Sequence, residues 1–252
     1  MSEARILFLD IETLPNIAWT WGKYDQNVLG FEQQTCIATY AAKWQGGEVF
    51  AKMLPEYKGY KAGSYDDKKL VKDLWDLLDD ADIAVAHNGK DFDFRVITGR
   101  LLYHGMQPPS PYKIVDTKLI SSRVARFNSN ALNDLGQHFG FGKKIKTDFD
   151  LWLGCMRGDL KCWRQMVKYN KQDVILLEKV YNRFLPFIND HPNHGLITGE
   201  ERACPKCGST RLKSKGIVYC VTRSYRSLIC CNCGGYARET VSVGKTKTTN
   251  CG

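Results

Sequence analysis

The 252-residue sequence has no run approaching the roughly 18 apolar residues that a membrane-spanning helix needs, and Glu3, Asp10 and Glu12 interrupt its N-terminal apolar stretch. A signal peptide needs an unbroken apolar segment, so membrane and secreted roles are not expected and the cytoplasm is the expected compartment. Cysteine is scarce before residue 200, with three residues there and seven after. That scarcity excludes a disulfide framework for the bulk of the chain. Net charge is missing from the same stretch: 26 basic side chains stand against 25 acidic ones, whereas residues 201–252 carry 10 basic and 2 acidic. The overall charge of +9 therefore comes almost wholly from the C-terminal segment. A composition of 43% hydrophobic and 25% charged residues is neither disordered nor fibrous.

Charge and cysteine content change together near residue 200, which predicts two modules. The expected division is a large domain over 1–190, a turn-rich linker over 191–201, a small domain over 202–241 and a flexible tail over 242–252. In the large module, Arg5-Ile-Leu-Phe-Leu-Asp-Ile-Glu reads as a buried strand ending in carboxylates. Residues 36–44 and 48–54, split by Gly46-Gly47, read as a strand, turn and strand. Leu70, Leu74, Leu77 and Leu78 form one helical stripe within 66–79, and 83–86 is a short buried strand. Residues 92–103 and 131–139 read as helices with a strand over 112–116 between them, and 163–184 is a long helix stopped by Pro186. Strands early and helical crossovers later give an α/β layered domain.

Acidic residues recur where these elements end. Asp10 and Glu12 are two apart on a strand and so share a face. Asp93 follows the turn His87-Asn-Gly-Lys at the start of a helix, and Tyr169 and Asp173 are four apart on the long helix. Each has a bland reading: an acidic turn, a helix-terminal carboxylate, a solvated pair.

Together, Asp10-Ile-Glu12, Asn88-Gly-Lys-Asp-Phe-Asp93 and Tyr169-Asn-Lys-Gln-Asp173 resemble the three motifs of the DnaQ-like, or DEDD, 3′-to-5′ exonucleases on a ribonuclease H-like fold. The resemblance spans residues 5–186 and is closest to the proofreading domain of family-B DNA polymerases and its free-standing relatives, including bacteriophage-encoded ones. It implies a ribonuclease H-like mixed sheet flanked by helices, in a host cytoplasm where the member is phage-encoded. The four family acids match Asp10, Glu12, Asp93 and Asp173. Val115-Asp-Thr and Ser129-Asn-Ala-Leu match further family stretches, taken as structural or substrate-lining. One branch of the family places a His five residues before the last Asp; here that position is Lys168, while the Tyr four before it is present as Tyr169, so the chain resembles the tyrosine subclass. Asp91 competes with Asp93 for the second motif, but on a helix the two project about 200° apart and only one can face a shared site.

Four carboxylates offer hard oxygen ligands, which suit two Mg²⁺ or Mn²⁺ ions. The resemblance implies that Asp10, Glu12 and Asp173 hold one ion, that Asp10 also reaches the second, and that Asp93 holds the second ion's hydration shell. Tyr169 would orient the attacking water, since a phenol with a pKa near 10 is a poor general base at neutral pH. Products would be nucleoside 5′-monophosphates, with DNA the favoured substrate. An exoribonuclease would use the same acids, and a catalytically idle nucleic-acid-binding adaptor would not need them. Lys143, Lys144, Lys146, Arg123 and Arg126 are the phosphate-facing candidates. Phe92, Tyr112 and Phe127 are candidates for stacking on a base, though core packing is the commoner role. Trp19, Trp21, Trp44 and Trp75 are assigned to packing, and His87 and His138 to ordinary hydrogen bonding.

In the small module, Cys204-Pro-Lys-Cys207-Gly and Cys230-Cys-Asn-Cys233-Gly are two Cys-x-x-Cys knuckles with 22 residues between Cys207 and Cys230, slightly beyond the usual zinc spacing. Gly208 and Gly234 follow the second cysteine of each, where the turn needs positive φ. β-rich stretches lie between and after the knuckles, at 217–222, 224–229 and 236–241, so the module resembles a zinc ribbon. Four thiolates make a closed structural Zn²⁺ site, which supplies stability that so small a core lacks. Cys231 could replace one knuckle ligand; Cys220 and Cys251 are spare. The basic surface predicts nucleic-acid binding, with a protein partner as the alternative.

Overall fold

The computed structural model describes residues 3–24, 27–142 and 147–249. The chain divides into two compact units, Arg5–Val180 and the chain from Tyr181 onward. The large unit opens with β1 (Ile6–Leu14), followed by a small hairpin of β2 (Ile17–Trp19) and β3 (Gly30–Gln33), then β4 (Cys36–Trp44) and β5 (Val49–Met53). Helix α1 (Lys68–Asp79), strand β6 (Ile83–Ala86), helix α2 (Asp93–Tyr103) and strand β7 (Lys113–Asp116) follow. Helices α3 (Thr117–Val124), α4 (Leu132–His138), α5 (Phe149–Met156) and α6 (Leu160–Phe184) come next, the last giving way to a 3₁₀ turn at Leu185–Phe187 that contains Pro186.

The main sheet has the order β5-β4-β1-β6-β7. Its β5-β4-β1 half is antiparallel, with a tight turn between β4 and β5 and the β2–β3 hairpin inserted between β1 and β4, and its β1-β6-β7 half is parallel, because α1 and α2 carry the crossovers. This is the mixed α/β sheet with helices expected from the sequence. The central strand β1 is buried on both faces: Leu7, Leu9 and Ile11 enter a core with Leu70, Leu74, Ile97 and Trp163, while Ile6 and Phe8 are equally buried on the alternate positions.

Three short elements had no clear signal. The two strands of the β2–β3 hairpin, α3 and α5 are each eight residues or shorter, too brief for a periodic stripe to stand out. The assignment of Trp19 and Trp21 to packing is corrected, since they are 61% and 86% exposed on or just beyond that hairpin. A strand of three residues with one partner has no second layer against which to bury an indole. Trp44 does pack against the core, with Arg5 over its ring, and the Trp75 indole donates to the Gln107 carbonyl.

The second unit contains α7 (His194–Thr198), in the segment first read as turn-rich, and an antiparallel sheet of β8 (Leu212–Tyr219), β9 (Arg223–Cys230) and β10 (Tyr236–Lys245) in the order β10-β9-β8. His191 and His194 are buried and stacked with ring centroids 5.5 Å apart, and the Tyr181 hydroxyl bonds the His191 ring at 2.7 Å. Among the described residues, no helix is long and apolar enough to cross a membrane.

Candidate metal centres

β1 outruns its parallel neighbour: β6 pairs only with Ile6–Phe8, and beyond Phe8 the strand keeps β4 on one edge alone. The carboxylates therefore do not end the strand, as the sequence suggested, but lie within it, where it runs beyond β6 while still paired with β4. On the edge that β6 leaves, the Ile11 amide donates to Asp93 Oδ1 at 3.1 Å, so Asp93 takes the place of the missing strand. The turn before Asp93 is tight. Asn88 is left-handed at φ 67°, and a Cβ on Gly89 would lie 2.5 Å from that of Ala86 and 2.8 Å from the Phe94 ring. The Asp116 carboxylate holds this turn by accepting from the Asn88 and Lys90 amides at 3.0 Å, and it caps α3 by accepting from Lys118 and Leu119. Val115-Asp-Thr is thus structural, and Ser129-Asn is likewise tied locally, by Ser121 Oγ donating to Asn130 at 2.9 Å.

Asp10 and Glu12 share the face of β1 that also carries Thr39 and Lys43 from β4. Helix α6 crosses this face. Lys43 pairs with its Glu178 at 2.6 Å, and Thr39 Oγ1 donates to Asn170 Oδ1 at 3.1 Å. The same helix delivers Asp173, so that ligand oxygens of Asp10, Glu12 and Asp173 lie within 4.8 Å of one another. Asp173 is 2% exposed and the other two are half-buried. Asp93 falls outside this group of three and is buried against β1. Asp91 is exposed, 3.7 Å from Arg95.

A family model of the RNase H superfamily matches residues 7–185. The chain belongs to the RNase H superfamily. Among solved structures, the family B DNA polymerase from the hyperthermophilic archaeon Pyrobaculum calidifontis is similar to it, with 17% identity and a TM-score of 0.54 over 74% of this chain and 25% of that one. This chain thus spans about a quarter of that polymerase's length, and the likeness is one of fold. No curated protein matches.

Within the RNase H-like domain, burial first and then the charges of Asp173, Glu12 and Asp10 push the Tyr169 phenol well above its ordinary value. It remains a donor at any working pH, which suits orienting a group and not removing a proton. Burial also raises Asp93 to about 7, with the Asp116 charge adding to it and the Ile11 amide opposing it. A carboxyl near 3.9 when unfolded and about 7 when folded binds its proton more tightly in the folded state. Its contribution to stability is full below about pH 4 and is lost as pH rises to about 7. In buffer without divalent cations, Asp93→Asn is expected to raise Tm at pH 8 and to leave it nearly unchanged at pH 4. A pH-independent difference would assign the effect to packing.

Sequence reasoning passed over Asn170. Its side chain is fully buried and donates through Nδ2 to Asp10 Oδ2 at 2.5 Å and to the Asp10 carbonyl at 3.2 Å, while Thr39 fixes the amide orientation from the other end. A neutral donor orients the carboxylate without adding a positive charge that would compete with a cation. The available signal was its place in Tyr169-Asn-Lys-Gln-Asp173, one residue from a candidate. Asn170→Ala is expected to weaken Mn²⁺ binding by about tenfold or more, read by electron paramagnetic resonance of the free ion. Unchanged Mn²⁺ affinity would leave Asn170 a packing role only.

The substrate-facing candidates divide. Arg123 and Arg126 are exposed, at the end of α3 and just beyond it, whereas Lys143, Lys144 and Lys146 lie outside the described residues, as does Cys251. Phe127 packs edge-on against His138 and Phe139, Tyr112 packs against Phe94, and Phe92 is 40% exposed. His87 pairs with Thr117 Oγ1 at 2.9 Å.

In the small unit Cys204, Cys207, Cys230 and Cys233 converge. Cys204 and Cys233 sulfurs are 3.8 Å apart, Cys207 and Cys230 3.6 Å, and tetrahedral Zn–S bonds of about 2.3 Å require about 3.8 Å. The four thiols fit zinc. Both knuckles turn alike: Gly208 and Gly234 each have φ 73° and donate to the carbonyls of Cys204 and Cys230. Burial raises the Cys230 thiol, but the amides of Cys233 and Asn232 and contacts with Cys207 and Cys204 outweigh it and bring the thiol to about 7. Cys231 is exposed outside the tetrad, as is Cys220.

Proposed function

We propose that this chain is a metal-dependent 3′-to-5′ exonuclease of the tyrosine subclass, acting on single-stranded or frayed 3′ ends of DNA and releasing nucleoside 5′-monophosphates. The observation that carries the reading is the meeting of Asp10, Glu12 and Asp173, from one strand and a distant helix, within 4.8 Å on an RNase H-like sheet. Three carboxylates so close repel one another strongly, and a divalent cation relieves that repulsion. Hard oxygen donors without His or Cys favour Mg²⁺ or Mn²⁺. Bound cations would supply the activated water and the stabilised leaving oxygen that phosphodiester hydrolysis requires.

The protein's own groups have separable tasks. Asp10, Glu12 and Asp173 would hold the cations, and Asn170 keeps the Asp10 carboxylate turned toward its neighbours. Tyr169 remains protonated beside all three acids and donates a hydrogen bond to the attacking water. Asp93, raised toward neutrality and bonded to the Ile11 amide, fits a weaker hold on a second hydrated ion. The ribbon, with its Cys₄ zinc site and excess of basic residues, holds the polyanion. The family B polymerase likeness supports the reading at the level of fold, since the matched quarter is the size of one domain.

The test uses DNA and RNA oligomers labelled at either end, with Mg²⁺, with Mn²⁺, or with neither. The expected result is a ladder shortening from the 3′ end of DNA only when the cation is present. Equal ladders from RNA would reassign the substrate, and tight binding without mononucleotide product would overturn the enzyme reading.

A further inference from the structure

Two contacts hold α6 along β4 on the face that carries the acidic cluster: Thr39 with Asn170, and Lys43 with Glu178. Thr39 and Lys43 are four residues apart on the strand, about 13 Å, and Asn170 and Glu178 are eight apart on the helix, about 12 Å, so strand and helix run side by side in step. Asp10 pairs with Ala41, midway between Thr39 and Lys43, and Asp173 lies on the helix between Asn170 and Glu178. The two contacts therefore bracket both acids.

The brackets differ in charge. Asn170 is a neutral donor, whereas Lys43 is the one basic residue on β1 or β4. Because Asp10 stands opposite Ala41, Lys43 is its diagonal neighbour on the same face, a separation of roughly 7 Å that a long side chain spans, and Ala41 puts only a methyl between them. Directly across from Lys43 are Phe8 on β1 and Val49 on β5, and β1, β4 and β5 contain no acids except Asp10 and Glu12. Glu178 instead takes the ammonium, at 2.6 Å, with the two side chains 19% and 17% exposed. A half-buried ammonium deprived of Glu178 would not stay unpaired, since an uncompensated charge in such a setting is strongly unfavourable. Asp10 is the carboxylate within its reach on the sheet.

We propose that Glu178 is a positioning residue for the acidic centre: by holding the Lys43 ammonium it keeps an internal cation off Asp10 and leaves the cluster open to a divalent one. An ammonium on Asp10 would cancel one of the three charges that attract the ion, and affinity for a hard cation falls with the charge of its ligand set. This role rests on Asp10, Glu12 and Asp173 as the metal site, and adds Lys43 as the competitor that must be excluded from it.

The experiment measures Mn²⁺ affinity of the full, zinc-loaded chain by electron paramagnetic resonance of the free ion. Glu178→Gln is expected to weaken binding by about tenfold or more, and Glu178→Asp, which keeps a carboxylate, to restore most of it. Lys43→Met combined with Glu178→Gln should bind as tightly as the unaltered chain, because no ammonium is left to turn toward Asp10. A pair that merely fastened α6 would leave this double variant as weak as Glu178→Gln, and that result would overturn the proposal, as would unchanged affinity in Glu178→Gln itself. Melts in metal-free buffer check that each variant folds and read the lysine's change of partner without any added cation. Adding Asp10→Asn should shift Tm less favourably, by about 2 °C or more, in Glu178→Gln than in Glu178→Gln with Lys43→Met, since only the first has an ammonium on Asp10 to lose. Equal shifts would overturn the proposal even with an intact metal site. A chain that shows the difference but binds no Mn²⁺ would refute the metal site alone, with Glu178 still restraining Lys43 from Asp10.

Discussion

Asp173→Asn is expected to abolish nucleotide release and, in metal-free buffer, to make the protein more stable. Both effects come from the same crowding. Asp173 is 2% exposed and shares a 4.8 Å cluster with Asp10 and Glu12, and unit charges at that spacing in a partly buried setting repel by about 3 kcal/mol per pair at an effective dielectric near 20. The amide has nearly the same volume and still offers an oxygen to the Tyr169 hydroxyl, so packing is retained while repulsion is relieved. Activity, by contrast, loses an anionic cation ligand, and with it several kcal/mol of transition-state stabilisation, about 10³-fold or more in rate. Thermal melts with and without Mg²⁺ separate the two: the unaltered protein should gain Tm from the cation, and the variant little. A variant whose inactivity came with a lower metal-free Tm would have lost its fold, and the cluster would lose its catalytic assignment.

Removing zinc, or replacing Cys207 by Ser, is expected to unfold the small sheet. Structural zinc in comparably small modules supplies on the order of 10 kcal/mol, and the β8–β10 sheet has little else, with Tyr225 its one buried large side chain among the described residues and Arg238 stacked 3.9 Å over that ring. Metal analysis should give one zinc per chain, and chelation should release it together with protease sensitivity within 202–249. Cys220→Ser, at an exposed cysteine outside the tetrad, should change neither. An unaltered chain that folds with no zinc would refute the assignment.

Much of this was legible in order along the chain. The strands at 36–44 and 83–86 and the long helix were announced by apolar runs and a stopping proline, which act locally. The cysteine knuckles were legible for the same reason: two residues of spacing and a glycine with positive φ define the turn wherever it occurs. Trp19 and Trp21 were misjudged because composition cannot say whether a short hairpin has a layer above it. Asn170 was missed because an asparagine gains meaning only from what faces it, here a carboxylate 160 residues earlier and a threonine on a neighbouring strand. The Asp93 carboxyl was singled out from its place after a turn, but its bond to the Ile11 amide depends on β6 ending short of β1.

The sequence by itself determined that there are two chemistries, an acidic one in a nearly neutral module and a thiolate one in a basic module, because residue type and short spacing are properties of the chain alone. Only the tertiary structure decided which groups meet. Asp10 and Asp173 are brought within ligand distance by the crossing of α6 over β1, Asp93 is turned instead to a strand edge, and Arg223 is set against Lys245 by the register of two strands. Such contacts depend on packing between segments far apart in the chain, where a shift of one residue in register would move each side chain to the opposite face.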